Sequence, residues 1–208
     1  MENYVWYASY GSNINQDRFH AYIFGEIPPG GTVSEVGCRD QSLPLRAENV
    51  MIDFPMFFAK RSKRWDNKGV GFIDTTSNPD RPTFGRMYLI TKEQYVDVVR
   101  QENNDMTLEI DFDQLESKGE YVIDSNKMYG KVLDVGEKEG RPIYTFTHPN
   151  AIQSNERMTP SVTYLKVIGA GIKEAFEIST AELVDYYLLR EEVAEAYTRA
   201  ELLKHLAR

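Results

Sequence analysis

Several things are scarce in this chain. Cysteine occurs once, at Cys38, so an intrachain disulfide is excluded. The histidines, His20, His148 and His205, are scattered, and none has the spacing of a zinc ligand set, so no metal is expected. Basic charge is short as well. In 208 residues 24 Lys and Arg stand against 32 Asp and Glu, a net charge of −8. The longest basic stretch, Lys60-Arg61-Ser62-Lys63-Arg64, reads as a solvated loop. Nucleic acid is not an expected partner, because phosphate neutralisation supplies most of that affinity. No apolar run approaches the length of a membrane span, and the opening Met1-Glu2-Asn3-Tyr4 has no apolar leader core. A cytoplasmic chain without a membrane partner is the expectation. Neither a Ser-His-Asp order nor a glycine-rich phosphate loop can be read anywhere.

What is present suffices for a core: 41% of residues are hydrophobic and 12% aromatic, well clear of the disordered composition range. The length fits one large domain or two small ones. Residues 3–10 are apolar on both faces, as in a central strand. The strand breaks at Gly11 into a polar loop, and a helix follows from about Asn15, with Asn13 as a candidate cap and Phe19, Tyr22 and Ile23 on one side. Such a break gathers backbone N–H groups at a helix start, where an anionic or carbonyl oxygen is stabilised. Residues 26–47 read as loop with at most one short strand. Val50 to Ala59, interrupted by Pro55, reads as an edge or bulged strand. Strands are also expected at Gly69–Ile73 and Phe84–Ile90.

Thr91 and Gln94 form a capping-box pattern. The helix they open carries Tyr95, Val98, Val99 and Glu102 on one face. Glu102 breaks two rules there: it is an acid on an apolar face, and it sits in the last turn, where the macrodipole disfavours it. Such violations mark candidate functional sites. A frayed helix end with a solvated carboxylate is the alternative. Residues 104–127 read as an acidic excursion with a short helix or strand near Leu108–Leu115. A hairpin is expected from Tyr129–Val135 and Arg141–Thr147 across residues 136–140, then a loop from 148 to 158. Thr159-Pro160 reads as the start of a helix bearing Val162, Leu165, Ile168 and Ile172, weakened at Gly171. Ser179 with Glu182 opens a C-terminal helix or helix pair through Tyr186, Leu189, Val193, Tyr197 and Leu202, its outer face charged by Glu191, Glu192, Arg199 and Lys204. The balance of elements points to an α+β domain over residues 1–208, with a helical extension from about 179.

Tyr10-Gly11-Ser12-Asn13-Ile14 resembles the signature of the gamma-glutamylcyclotransferase-like (AIG2-like) superfamily. Two further segments agree with it in order: Gly85, followed seventeen residues on by Glu102, and Pro160-Ser161-Val162-Thr163-Tyr164. The resemblance implies a compact mixed β-barrel with flanking helices. It also implies an enzyme that releases 5-oxoproline from a gamma-glutamyl amine or gamma-glutamyl amino acid and needs no cofactor. Glu102 would be its general acid/base, and Tyr10, Gly11, Ser12, Asn13 and Ile14 its substrate loop. Tyr144 falls near the family's pocket tyrosine, a core aromatic being the alternative reading. The chain departs from the pattern after Glu102, where Asn103 replaces a glycine as a left-handed cap and the usual tyrosine is missing. Ser12-Asn13, unlike the Ser-Leu of the glutathione-degrading branch, speaks against glutathione as substrate. Two other readings remain open, a non-catalytic small-molecule-binding module on the same fold and an interaction scaffold using the C-terminal helices.

Overall fold

The computed structural model of the chain describes residues 3–152 and 156–207. Met1, Glu2, Arg208 and the middle of the expected 148–158 loop lie outside the described residues. Strand β1 (Tyr4–Ser9) sets Val5 and Tyr7 against one layer and Trp6 and Ala8 against the other, all buried. A strand apolar on both faces is stable only inside a covered sheet. β1 lies antiparallel to β5 (Thr83–Thr91) and parallel to β8 (Arg141–Thr147). With β2 (Arg46–Ile52), β6 (Glu120–Val122) and β7 (Lys131–Lys138), these make a six-stranded sheet in the order β2-β5-β1-β8-β7-β6.

That sheet is not closed, which corrects the expected barrel. The stretch 50–59 is not one bulged strand. Pro55, which has no N–H to continue a ladder, separates β2 from β3 (Met56–Ser62), and β3 pairs with β4 (Lys68–Ile73) as a separate two-stranded ribbon, with one isolated bridge from Ala59 to Arg157. The ribbon buries Met56, Phe57, Phe58 and Phe72 against the large sheet instead of extending it.

Helices α1 (Gln16–Phe24), α2 (Lys92–Glu102) and α3 (Phe112–Lys118) cover the Val5/Tyr7 face with Phe19, Tyr95, Val98, Val99 and Leu115. The opposite face is covered by the ribbon together with α4 (Val162–Phe176), α5 (Thr180–Leu188), α6 (Glu191–Ala194) and α7 (Arg199–Leu206), through Leu165, Ile168, Tyr187 and Leu202. No helix among the described residues is long and apolar enough to cross a membrane.

Several local expectations shift. The cap of α1 is Asn15, whose side chain accepts from Arg18 N, and not Asn13. The cap of α4 is Ser161, which accepts from Tyr164 N, and not Thr159. α4 runs on through Gly171 to Phe176, and the glycine there has a packing reason. A Cβ there would lie 2.6 Å from the backbone nitrogen of Asn15, so glycine lets α4 close on the loop after β1. The β7–β8 hairpin turns at Glu139-Gly140, both at positive φ, so residues 136–138 extend the strand. Among the described residues three helices, not one or two, follow Ser179. Leu189 is 64% exposed, whereas Glu192 is buried, accepting from Phe58 N and pairing with Arg157.

Candidate functional site

The parallel strands β1 and β8 end side by side, and their junction is tied by Tyr10, whose hydroxyl donates to the Phe146 carbonyl at 2.8 Å. The chain then folds into a single 3-10 turn, Ser12–Ile14. Ile14 N–H and Asn15 N–H are used within that turn, donating to Gly11 and Ser12 carbonyls. The N–H groups of Ser12 and Asn13 precede its first bond, the position at which helical donors are left free. The Tyr88 hydroxyl supports the turn from beneath, donating to the Asn13 carbonyl at 2.8 Å. Ligands bind beyond the carboxyl ends of parallel strands for this reason: the chain must leave the sheet and exposes its donors.

A cavity of about 440 Å³ opens over this turn. Its deep end brings together Gly11, Ser12, Asn13 and Glu102, which are far apart in sequence. Asn13 Nδ2 donates to Glu102 Oε1 at 3.3 Å. Asn13 is 2% exposed, and its Oδ1 is buried with no partner among the described residues. Unpaired buried acceptors are uncommon and call for an explanation. Glu102 is half-buried, meeting the cavity on one side and protein on the others. Burial pushes its carboxyl up to about 7, although Arg64 and the Tyr22 hydroxyl beside it pull it down. Around it stand Tyr7, Tyr10, Tyr22, Tyr129 and Tyr164. Burial raises the phenols of all five, so they remain neutral donors.

Glu102 is held by its own helix end. Asn103 follows it in right-handed geometry (φ −94), and the left-handed position expected at Asn103 falls on Asn104 (φ 49). The Asn103 side chain is thereby free to clamp the segment before β7: Nδ2 donates to the Tyr129 carbonyl and Tyr129 N–H donates to Oδ1, each at 3.0 Å. Tyr129 in turn donates from its hydroxyl to the Gly71 carbonyl at 3.2 Å. The 104–127 excursion thus delivers a tyrosine to the cavity from beyond its far end, where none stands directly after Glu102.

Two expected site residues lie elsewhere. Ile14 is fully buried against α4 and does not line the cavity. Tyr144 is fully buried beside Tyr95 and Phe112, two residues further from the strand end than Phe146, which does line the cavity. Conversely, the stretch read as a solvated loop supplies a wall: Arg61, Ser62, Lys63, Arg64 and Trp65. Arg64 pairs with Glu35 at 2.8 Å and donates to the Tyr22 hydroxyl at 3.1 Å. Trp65, a single aromatic embedded in a basic run, was the signal that could have revealed this wall.

No protein-family model matches the chain. Histone deacetylase 5 of Arabidopsis thaliana is 32% identical over 202 aligned residues, covering 88% of this chain and 30% of that protein. The chain therefore spans under a third of the length of this curated relative. Among solved structures, a gamma-glutamyl cyclotransferase is similar with a TM-score of 0.51 and 18% identity, covering 88% of this chain and 86% of its own. An uncharacterized protein from Homo sapiens is similar with a TM-score of 0.52 and 19% identity, covering 97% and 99%.

Proposed function

On the gamma-glutamylcyclotransferase-like fold that this chain carries, we propose that the cavity cyclises a gamma-glutamyl compound and releases 5-oxoproline and a free amine. The observation that carries this reading is the meeting of Glu102 with the Gly11–Asn13 turn in one cavity, through the Asn13–Glu102 hydrogen bond. The Ser12 and Asn13 N–H groups are suited to the oxygen that gains charge as the γ-carbonyl is attacked. The unpaired Asn13 Oδ1 and the Glu102 carboxylate form two acceptors for the substrate's α-ammonium.

Glu102 takes a proton from the α-ammonium. The freed amine attacks the γ-carbonyl carbon, forming the ring C–N bond. A proton reaches the departing nitrogen as its bond to carbon breaks. In net terms two protons pass from the α-nitrogen to the leaving amine, which ends as an ammonium, and no water is consumed. A carboxyl tuned near 7 can serve in both directions at neutral pH. This role needs no cofactor.

Purified protein incubated with a panel of gamma-glutamyl amines and amino acids should release 5-oxoproline from at least one of them. Glu102→Gln should reduce that rate by about 10²-fold or more, the usual size of general acid–base catalysis. A panel without product, or turnover that survives Glu102→Gln, overturns the reading. A second reading, a small-molecule-binding module without turnover, draws support from the curated relative, where the matched stretch belongs to a much longer protein named for another activity. Thermal stabilisation by gamma-glutamyl compounds, with no product formed, would favour it.

A further inference from the structure

Glu102 shares its cavity with groups delivered by three other segments. Arg64 comes from the wall. The register of β3 shifts between Ala59 and Ser62, and Lys60, Asp66 and Asn67 lie at positive φ, 58°, 59° and 57°. Bulges bend a strand and re-aim the side chains that follow, and residues 61–65 accordingly run along the cavity. Glu35 comes from the loop after α1, and Tyr22 from α1 itself.

Arg64 joins these groups. Its Nη1 lies 2.8 Å from Glu35 Oε1, and its Nη2 donates to Glu35 Oε2 at 3.2 Å. The Glu35 side chain is only 8% exposed and its Oε1 takes no hydrogen bond, so the charge there depends on the guanidinium. The same Nη1 donates to the Tyr22 hydroxyl at 3.1 Å. A hydroxyl that accepts there keeps its single proton for another partner, and the Glu102 carboxylate is beside it. Gln101, the residue before Glu102, fixes this frame from the other side. Its Oε1 accepts from Gly37 N–H at 3.0 Å, and its Nε2 donates to the Tyr22 carbonyl at 3.1 Å. The loop bearing Glu35, the helix bearing Tyr22 and the turn bearing Glu102 thus share one anchor.

An arginine and a carboxylate in one cavity form a strong pair when they meet directly, and a carboxylate so paired is a weak base. Here the guanidinium faces Glu35 instead. We propose that Glu35 holds Arg64 off Glu102, so that Glu35 and Arg64 are positioning residues that set how readily Glu102 takes a proton, with the Tyr22 hydroxyl as the link. The inference rests on the cyclotransferase reading above for Glu102 as the base. The two charges act on the Glu102 carboxyl in opposite senses, Arg64 drawing it down and Glu35 pushing it up, on top of the larger effect of burial. The other charged neighbours are Arg18 of α1, whose Nη1 donates to the Pro29 carbonyl, and Arg61 and Lys63, exposed at the mouth. The phenols of Tyr7, Tyr10, Tyr129 and Tyr164 stay neutral.

The test is an NMR titration of protein labelled at the glutamate carboxyl carbons, with the Glu102 signal identified by its loss in Glu102→Gln. It needs no turnover. Native Glu102 should titrate near 7. Arg64→Gln should move that midpoint up and Glu35→Gln should move it down, each by about one pH unit, the low end for a nearby charge because Arg64 is 43% exposed. The double variant, which removes both charges, should return to within about half a pH unit of native. The acid limb of kcat/KM, on any panel compound that turns over, should move with the midpoint. A purely structural tie would cost both variants stability and leave the midpoint in place. Midpoints that stay, or that move in the same direction, overturn the proposal, and either single variant decides the sign if the other fails to fold. Opposite shifts in a protein that releases no 5-oxoproline from the panel overturn the cyclotransferase reading and leave the arrangement of charges standing. Unmoved midpoints in a protein that does release it overturn this proposal alone.

Discussion

Glu102 is where the residue-level physics is most exposed. Desolvation at the cavity floor disfavours its charged form, and its carboxyl rises to about 7. A general base works only when ionised, so kcat/KM should climb with pH through an apparent value near 7 on the acid side. A pH–rate profile whose acid limb lies near 4.5, the ordinary glutamate value, would contradict the environment described here. The same shift bears on stability. A carboxyl with a raised folded-state pKa binds its proton more tightly when folded. Folding is therefore favoured most below about 4.5, and the advantage is lost as pH rises through about 7. Glu102→Gln, which cannot ionise, should accordingly be more stable than the native chain above pH 7, by ~1–2 kcal/mol after allowing for water in the cavity. Denaturant unfolding at acid and alkaline pH checks this; a difference that does not grow with pH refutes it.

At the scale of elements, the site depends on how chain segments end. α2 stops at Glu102 because the backbone turns left-handed at Asn104, one residue after the right-handed Asn103, whose side-chain amide goes to Tyr129. Asn103→Ala removes both clamp bonds and leaves the Tyr129 backbone groups short of partners. A loss of ~1–3 kcal/mol in stability is expected. Because Tyr129 lines the cavity, a weakened response to substrate should accompany it, read as a rise in KM. Unchanged stability would mean that water replaces the clamp. Gly171 shows what a local reading leaves out. Glycine inside a helix reads as a weak point, yet here the missing side chain is what allows α4 to rest on the turn after β1. Packing outweighs propensity at that position.

Across the whole molecule, the C-terminal helices are tied to the cavity-bearing half through the ribbon. Leu183, Tyr187, Val193 and Leu202 share one core with Trp6, Phe58 and Leu165. Glu192 adds a polar tie, accepting from Phe58 N and pairing with Arg157 at 3.3 Å. Its carboxylate is buried, so Glu192→Ala leaves a buried N–H without its acceptor, and ~2–4 kcal/mol of destabilisation is expected. Calorimetric unfolding measures it, and a change within about 0.5 kcal/mol, typical of surface positions, would show the tie to be dispensable.

Much of this was legible along the chain. β1 showed itself by apolar residues on both faces, α2 and α5 by their capping boxes, and Glu102 by violating the face it sits on. These are local signals, governed by backbone geometry and by periodicity over one or two turns. The separation of β2 from the ribbon, the burial of Glu192 and the placing of Tyr129 beside Glu102 depend on segments that meet only after folding. The basic run 60–64 carries one local mark of its role, the Trp65 that follows it, but what turns it onto the cavity is a bulge and three left-handed residues, which its composition does not announce. Residue spacing was enough to identify the loop and the glutamate as candidates. That they share one cavity, and with which neighbours, was decided by tertiary structure, since only the covered sheet brings the end of β1 against the end of α2 and excludes enough water to raise the carboxyl.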